Sequence, residues 1–176
     1  VQVVEASDSD LEDVLLVERL AFGGEEEAGL VRDLLDDPSA RPLLSLLARQ
    51  DGRAVGHVLF TAARLEDTSH DVATSILAPL AVIPDCQRAG IGGRLIEHGV
   101  ERLAEWGVGL VFVLGHPSYY PSHGFEPATP NGLVAPYPIS PDEAWMVRPL
   151  RPGLLGKTQG RVVCAVAMNR PEYWRE

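Results

Sequence analysis

The sequence predicts a mixed α/β sheet with helices on both faces, and three stretches carry that prediction. Residues 80–95 read as an apolar strand end, a proline stop at Pro84, a glycine loop and a helix that opens directly on the loop. Residues 110–114 are apolar throughout, the pattern of a strand buried on both faces in a parallel pair. Gln50-Asp51-Gly52 separates two strand-like runs as a hairpin turn, so the same sheet must also hold antiparallel neighbours.

The other elements follow in chain order. Residues 1–4 suit a short first strand. Ser7-Asp8-Ser9-Asp10 supplies an N-cap for a helix reaching about residue 21, with Leu11, Val14, Leu15 and Val17 turned to the core. Gly23-Gly24 breaks it, and a second, acidic helix covers 25–35 before Pro38 and Pro42. Strands at 43–48 and 54–64 flank the hairpin turn, 65–71 is a polar turn, and 75–82 is the next strand. In the longest helix, 91–106, Ile91, Leu95, Ile96, Val100 and Leu103 share one face. A short helix over 118–123 leads into a strand starting at Phe125. Residues 126–142 form a loop rich in Pro and Gly, and 144–150 and 161–168 are the final strands. There are no internal repeats, and residues 1–176 read as one domain large enough for a hydrophobic core.

Composition narrows the function classes. Apolar residues make up 45% and charged residues 23%, an ordinary globular balance. With 15 basic and 25 acidic residues the net charge is −10, which argues against a nucleic-acid partner, because backbone binding needs clustered Lys and Arg. No apolar run approaches the ~20 residues that span a bilayer, and no basic-then-apolar leader opens the chain, so a cytoplasmic protein without a membrane partner is expected. Cys86 and Cys164 make neither a disulfide framework nor a Cys-x-x-Cys pair. The five histidines lack paired zinc-like spacing, and no metal is expected.

The glycine loop carries the chemistry. A helix that opens on such a loop aims unpartnered N–H groups and the positive end of its dipole at one point, which suits a phosphate. The dinucleotide fingerprint fails here because Leu95 stands where its third glycine belongs. A Walker loop fails too: at Gly156-Lys157-Thr158, Arg151 occupies the required first glycine and a strand-like run follows.

The pattern that does fit is Gln87-Arg88-Ala89-Gly90-Ile91-Gly92, preceded by an apolar strand and followed by an amphipathic helix. Downstream, Tyr119-Tyr120-Pro121-Ser122-His123-Gly124-Phe125 places a tyrosine four residues ahead of Gly-Phe. Together these resemble the acetyl-CoA loop and second landmark of the GNAT superfamily of N-acetyltransferases. Ala78-Pro79-Leu80-Ala81-Val82 with the Tyr-Tyr-Pro ending is similar to its YhbS-like bacterial branch. The matched motifs span roughly residues 54–127.

That resemblance implies a GNAT-like acyl-CoA N-acyltransferase fold whose parallel strands, 75–82 and 110–114, part at their C-terminal ends to admit pantetheine. It implies that main-chain groups of Leu80, Ala81 and Val82 face the arm. Gln87 opens the motif, and the amides of Arg88, Ala89, Gly90, Ile91, Gly92 and Gly93 hold the diphosphate. The Val82 amide is the candidate oxyanion donor, worth about 3 kcal/mol when pre-placed. By motif position Tyr120 is the general acid for the departing thiolate, with Tyr119 as its buried neighbour. Many relatives place a Glu base on the central strand, whereas residues 75–82 here carry no carboxylate. His57 and His116 are the nearby alternatives for the base, and His123 is read as a cap of the short helix.

The implied activity is acetyl-CoA-dependent N-acetylation of a small-molecule amine or a protein amino group. Glu25, Glu26, Glu27, Asp33, Asp36 and Asp37 gather near the expected acceptor side, either as an attractor for cations or as a solvated helix face. An acyl-CoA-binding sensor or partner-binding module with little turnover is the alternative. Transfer to a hydroxyl or thiol also stays open. A homodimer is common for this fold and is carried as a further expectation.

Overall fold

The computed structural model describes residues 1–66 and 71–175; residues 67–70 of the turn expected at 65–71 lie outside it. Its strands are β1 (Gln2–Glu5), β2 (Leu44–Gln50), β3 (Arg53–Leu65), β4 (Thr74–Val82), β5 (Leu110–Leu114), β6 (Glu126–Pro127), β7 (Leu133–Val134), β8 (Trp145–Pro149) and β9 (Gly160–Val163). The α-helices among the described residues are α1 (Leu11–Phe22), α2 (Glu26–Leu35) and α3 (Ile91–Glu105). The sheet runs β1-β2-β3-β4-β5-β8-β6, with β9 pairing β3 and β7. Within that main order, β4 and β5 are parallel and their neighbours antiparallel.

Local chemistry sets these boundaries. Asp51 and Gly52 both take positive φ, 52° and 81°, the backbone that a tight hairpin requires between right-twisted strands. The Asp10 carboxylate accepts the Ser7 N–H at 2.9 Å, and Gly23 closes α1 at φ 74° with its N–H donating to the Arg19 carbonyl. Arg49 on β2 donates to Asp10 at 3.0 Å and Asp13 at 2.9 Å, tying the start of α1 to the sheet.

The sheet is covered on both faces. On one, Val14, Leu15, Ala28, Val31 and Leu34 from α1 and α2 pack over Leu47, Leu59, Ile76 and Phe112. On the other, the stripe Ile91, Leu95, Ile96, Val100 and Leu103 of α3 packs over Val58, Phe60, Val111 and Val113. Gly99 lets the Phe60 ring lie directly against α3, where a Cβ would run into the ring. Gly99→Ala is therefore expected to lose about 1–3 kcal/mol by overpacking, read as a lower urea midpoint with unchanged slope. No helix among the described residues is long and apolar enough to cross a membrane.

Three expectations are corrected. Leu11 is 36% exposed, on the wall of an open cavity beside β1 and α2, and Glu18 is buried instead. The last strand ends at Val163, five residues before the expected 168. There the Ser39 hydroxyl accepts the Val166 N–H and the Asp37 carboxylate accepts the Ala167 N–H, each at 2.9 Å, so these amides cap a 3-10 turn at Val166–Met168 rather than extending a ladder. The short helix expected over 118–123 is a 3-10 turn confined to Tyr120–His123.

Candidate active site

Strands β4 and β5 part company midway. Their ladder runs from Thr74↔Leu110 to Leu77↔Val113 and ends there, while β4 continues to Val82 beside β3. Opposite the single β3 residue between Val58 and Phe60, β4 spends residues 78 and 79, a bulge that bends the strand. The Ile83 N–H donates to the Val55 carbonyl at 3.0 Å, which sets the phase of the ladder. In that phase Ala81 exchanges hydrogen bonds with His57, whereas the main-chain groups of Leu80 and Val82 point away from β3 into the gap.

The chain leaves β4 through a 3-10 turn at Pro84–Cys86 and bends sharply at Arg88 (φ 63°) and Gly90 (φ 83°) before entering α3. The Arg94 N–H donates to the Gly90 carbonyl at 3.1 Å, so the N–H groups of Ile91, Gly92 and Gly93 precede the helical ladder. Gln87 Nε2 donates to the Val82 carbonyl at 2.9 Å and fastens the loop to the strand end. Arg53 pairs with Asp85 at 3.1 Å on the outer side. A cleft of about 330 Å³ results, lined by Leu80, Val82, Gln87, Arg88, Gly90, Ile91, Gly92 and Gly93. Ala81 is buried against β3 and Ala89 is exposed, and neither lines it.

The opposite wall comes from the 3-10 turn after β5. Tyr119 and His123 line the cleft, their ring centroids 4.7 Å apart. A Cβ on Gly92 would lie 2.6 Å from the Tyr119 hydroxyl, and one on Gly93 would lie 2.8 Å from His123 Cε1. Arg148 on β8 holds this turn in place: its Nη1 donates to the His123 carbonyl at 2.9 Å and to Glu97 of α3 at 2.7 Å. The same guanidinium keeps the Glu97 carboxyl below the usual range.

The expected burial of Tyr119 is not observed. Tyr119, expected to be the buried neighbour, is 37% exposed, while Tyr120 is 8% exposed. Tyr120 packs edge-on against Phe125 at 5.6 Å and against the cleft-lining Tyr119 at 5.0 Å, beside Gly115. The 3-10 turn starts at Tyr120, so the residue before it projects outward. Partial burial raises the Tyr119 hydroxyl above the ordinary tyrosine value.

The histidines divide sharply. His57 is wholly buried under α1, its Nδ1 hydrogen-bonded with Glu18 Oε2 at 2.7 Å and its Nε2 with the Ser45 hydroxyl at 2.8 Å. Burial raises the Glu18 carboxyl above the usual range, and its Oε1 is buried with no hydrogen-bond partner. His116 is exposed just beyond β5, and its carbonyl accepts the N–H groups of Tyr119 and Tyr120 at 3.0 and 3.3 Å. Among the described residues no group of His, Cys, Asp or Glu could hold a metal ion. A larger cavity of about 580 Å³, between the start of α1, the end of α2 and the β1–β2 edge, is remote from the glycine loop; Ser45 is on its wall.

Comparison with known proteins decides the family: the acetyltransferase (GNAT) domain profile matches residues 2–128. The chain belongs to the GNAT acetyltransferases. The uncharacterized N-acetyltransferase YjhQ of Escherichia coli (strain K12) is 52% identical over 161 residues, 89% of this chain and 88% of its own. The uncharacterized N-acetyltransferase YhbS of the same strain is 32% identical over 153 residues, covering 86% and 89%. A crystal structure of E. coli YhbS in complex with CoA matches this fold with a TM-score of 0.87 at 29% identity, over 96% of this chain and 92% of that one. An acetyltransferase of the family from Brucella melitensis, in complex with acetyl-CoA, shares the fold at TM-score 0.75 and 24% identity, over 95% and 97% of the two chains.

In this GNAT acetyltransferase two members of the acidic cluster serve the scaffold. Glu25 pairs with Arg19 at 2.6 Å, and Asp37 accepts N–H groups from Ser39 and Ala167. Three residues of this GNAT chain were invisible as a group in its sequence: Glu18, Ser45 and the outward Tyr119. Glu18 did carry a signal, since it stands four residues after the core-facing Val14 on the apolar side of α1. Nothing local marks Ser45 as its remote partner.

Proposed function

We propose that this GNAT acetyltransferase transfers the acetyl group of acetyl-CoA to a primary amine of a small molecule or protein, by direct attack on the thioester. The observation that carries the reading is the gap between β4 and β5, which opens on the free first turn of α3. The main-chain groups of Leu80 and Val82 offer an edge along which pantetheine can lie like a strand. The amides of Gly90, Ile91, Gly92 and Gly93, with Arg88 and Ala89 before them, supply donors and dipole for the diphosphate. That YhbS, which shares this fold, is found in complex with CoA supports coenzyme A as the ligand.

Chemistry follows from those positions. The Val82 N–H stabilises the carbonyl oxygen as negative charge grows there on amine addition. Tyr120 protonates the departing thiolate, and its burial keeps the hydroxyl away from bulk water. His116, exposed beside the parted strands, accepts the proton of the attacking amine. His57 positions α1 against β3 through Glu18 rather than meeting the acceptor.

Thiol release from acetyl-CoA across an amine panel tests the reading. Turnover with at least one amine is expected, falling about 100-fold or more in Tyr120→Phe with acetyl-CoA affinity retained. Wild-type turnover by that variant removes the acid role. The absence of a carboxylate on β4 favours one other reading, an acyl-CoA sensor. That reading gains if calorimetry shows tight binding while no amine releases thiol.

A further inference from the structure

We infer that His123 is a side-chain ligand of the coenzyme diphosphate, supplementing the main-chain cradle from the opposite wall of the cleft. The inference rests on the acetyl-CoA reading above. Three observations carry it. The imidazole sits directly over the first turn of α3, where even a Cβ on Gly93 would come within 2.8 Å of Cε1. It lines the same cleft as the N–H groups of Gly92 and Gly93, so a phosphate drawn to those amides meets the ring. Its placement is built rather than incidental: the Tyr119 ring packs against it, tilted by 53° with centroids 4.7 Å apart, and Arg148, braced by Glu97, grips its carbonyl. A neutral imidazole brings one N–H donor to a dianionic group and an imidazolium brings two, and a hydrogen bond to a charged acceptor is roughly twice as strong as a neutral one.

A merely structural ring would serve equally well as phenylalanine, which separates the two roles. His123→Phe keeps a flat ring between Tyr119 and Gly93 but donates nothing, whereas His123→Gln keeps a donor without the ring. Calorimetry with CoA and with pantetheine, which lacks the diphosphate, reads the difference. The expected result is a CoA dissociation constant about 10-fold or more higher in His123→Phe, partly recovered in His123→Gln, with pantetheine affinity unchanged in both. Thermal unfolding of His123→Phe near the wild-type midpoint confirms that the fold is intact. Unaltered CoA affinity in His123→Phe overturns the inference, as does an equal loss for CoA and pantetheine. Failure of the wild-type chain to bind CoA removes the acetyl-CoA reading itself, a separate outcome visible before any variant is made.

Discussion

Gly92→Asp is expected to abolish acetyl-CoA binding in calorimetry. The new Cβ would lie 2.6 Å from the Tyr119 hydroxyl, so the wall must retreat before any ligand enters. The carboxylate then stands at the positive end of α3, where the diphosphate is proposed to bind. Two unit charges 4 Å apart at an effective dielectric of 20 repel by about 4 kcal/mol, roughly a thousandfold in affinity. Gly92→Ala separates the steric part from the charge: it should weaken binding less, and Tyr119→Phe added to it should restore much of the loss by removing the colliding oxygen. Gly90→Asp reaches the same end differently. Its Cβ meets nothing within 4 Å, but φ of 83° strains any L side chain. Unchanged affinity in both Asp variants would sink the diphosphate assignment.

The second large effect concerns stability. His57→Ala should cost about 3–5 kcal/mol in urea unfolding, because it strips both the buried Glu18 carboxyl and the Ser45 hydroxyl of their hydrogen-bond partner. Burial raises Glu18, and the hydrogen bond and charge of His57 pull it back only in part. A carboxyl raised in the folded state binds more protons there than in the unfolded chain. Its contribution is therefore complete at low pH and is lost as pH climbs from the ordinary glutamate range through the raised value. Stability measured across that window should fall less steeply in Glu18→Gln than in wild type, and more steeply in His57→Ala. Parallel profiles for all three would remove the linkage.

Much of this architecture could be read from short stretches because the chemistry there is local. Asp51-Gly52 favours a mirror-image turn, the run at 110–114 has no polar face to offer solvent, and the apolar stripe from Ile91 to Leu103 marks α3 directly after the glycine loop. The YjhQ and YhbS matches bear out the family suggested by the Gln87–Gly92 loop and the Tyr119–Phe125 landmark. What escaped depends on distant partners. The last strand stops early because Asp37 and Ser39, some 130 positions upstream, capture its amides. Which of two adjacent tyrosines turns outward depends on the phase of a 3-10 turn clamped by Arg148, and no spacing in the chain encodes that clamp. Glu18 broke the apolar face of α1 in plain sight, yet its reason lay in a histidine 39 residues away.

The side-chain amide of Gln87, pinned to the carbonyl of Val82, joins loop and strand end into one rigid fitting. On the proposed reading the molecule thereby carries a built-in gauge: the stretch from the proposed diphosphate seat to the Val82 amide has a fixed length. Donors whose linker is too short or too long to span both ends should be turned away, whatever their head or tail. Cutting that tether with Gln87→Ala would blur the measurement rather than empty the seat.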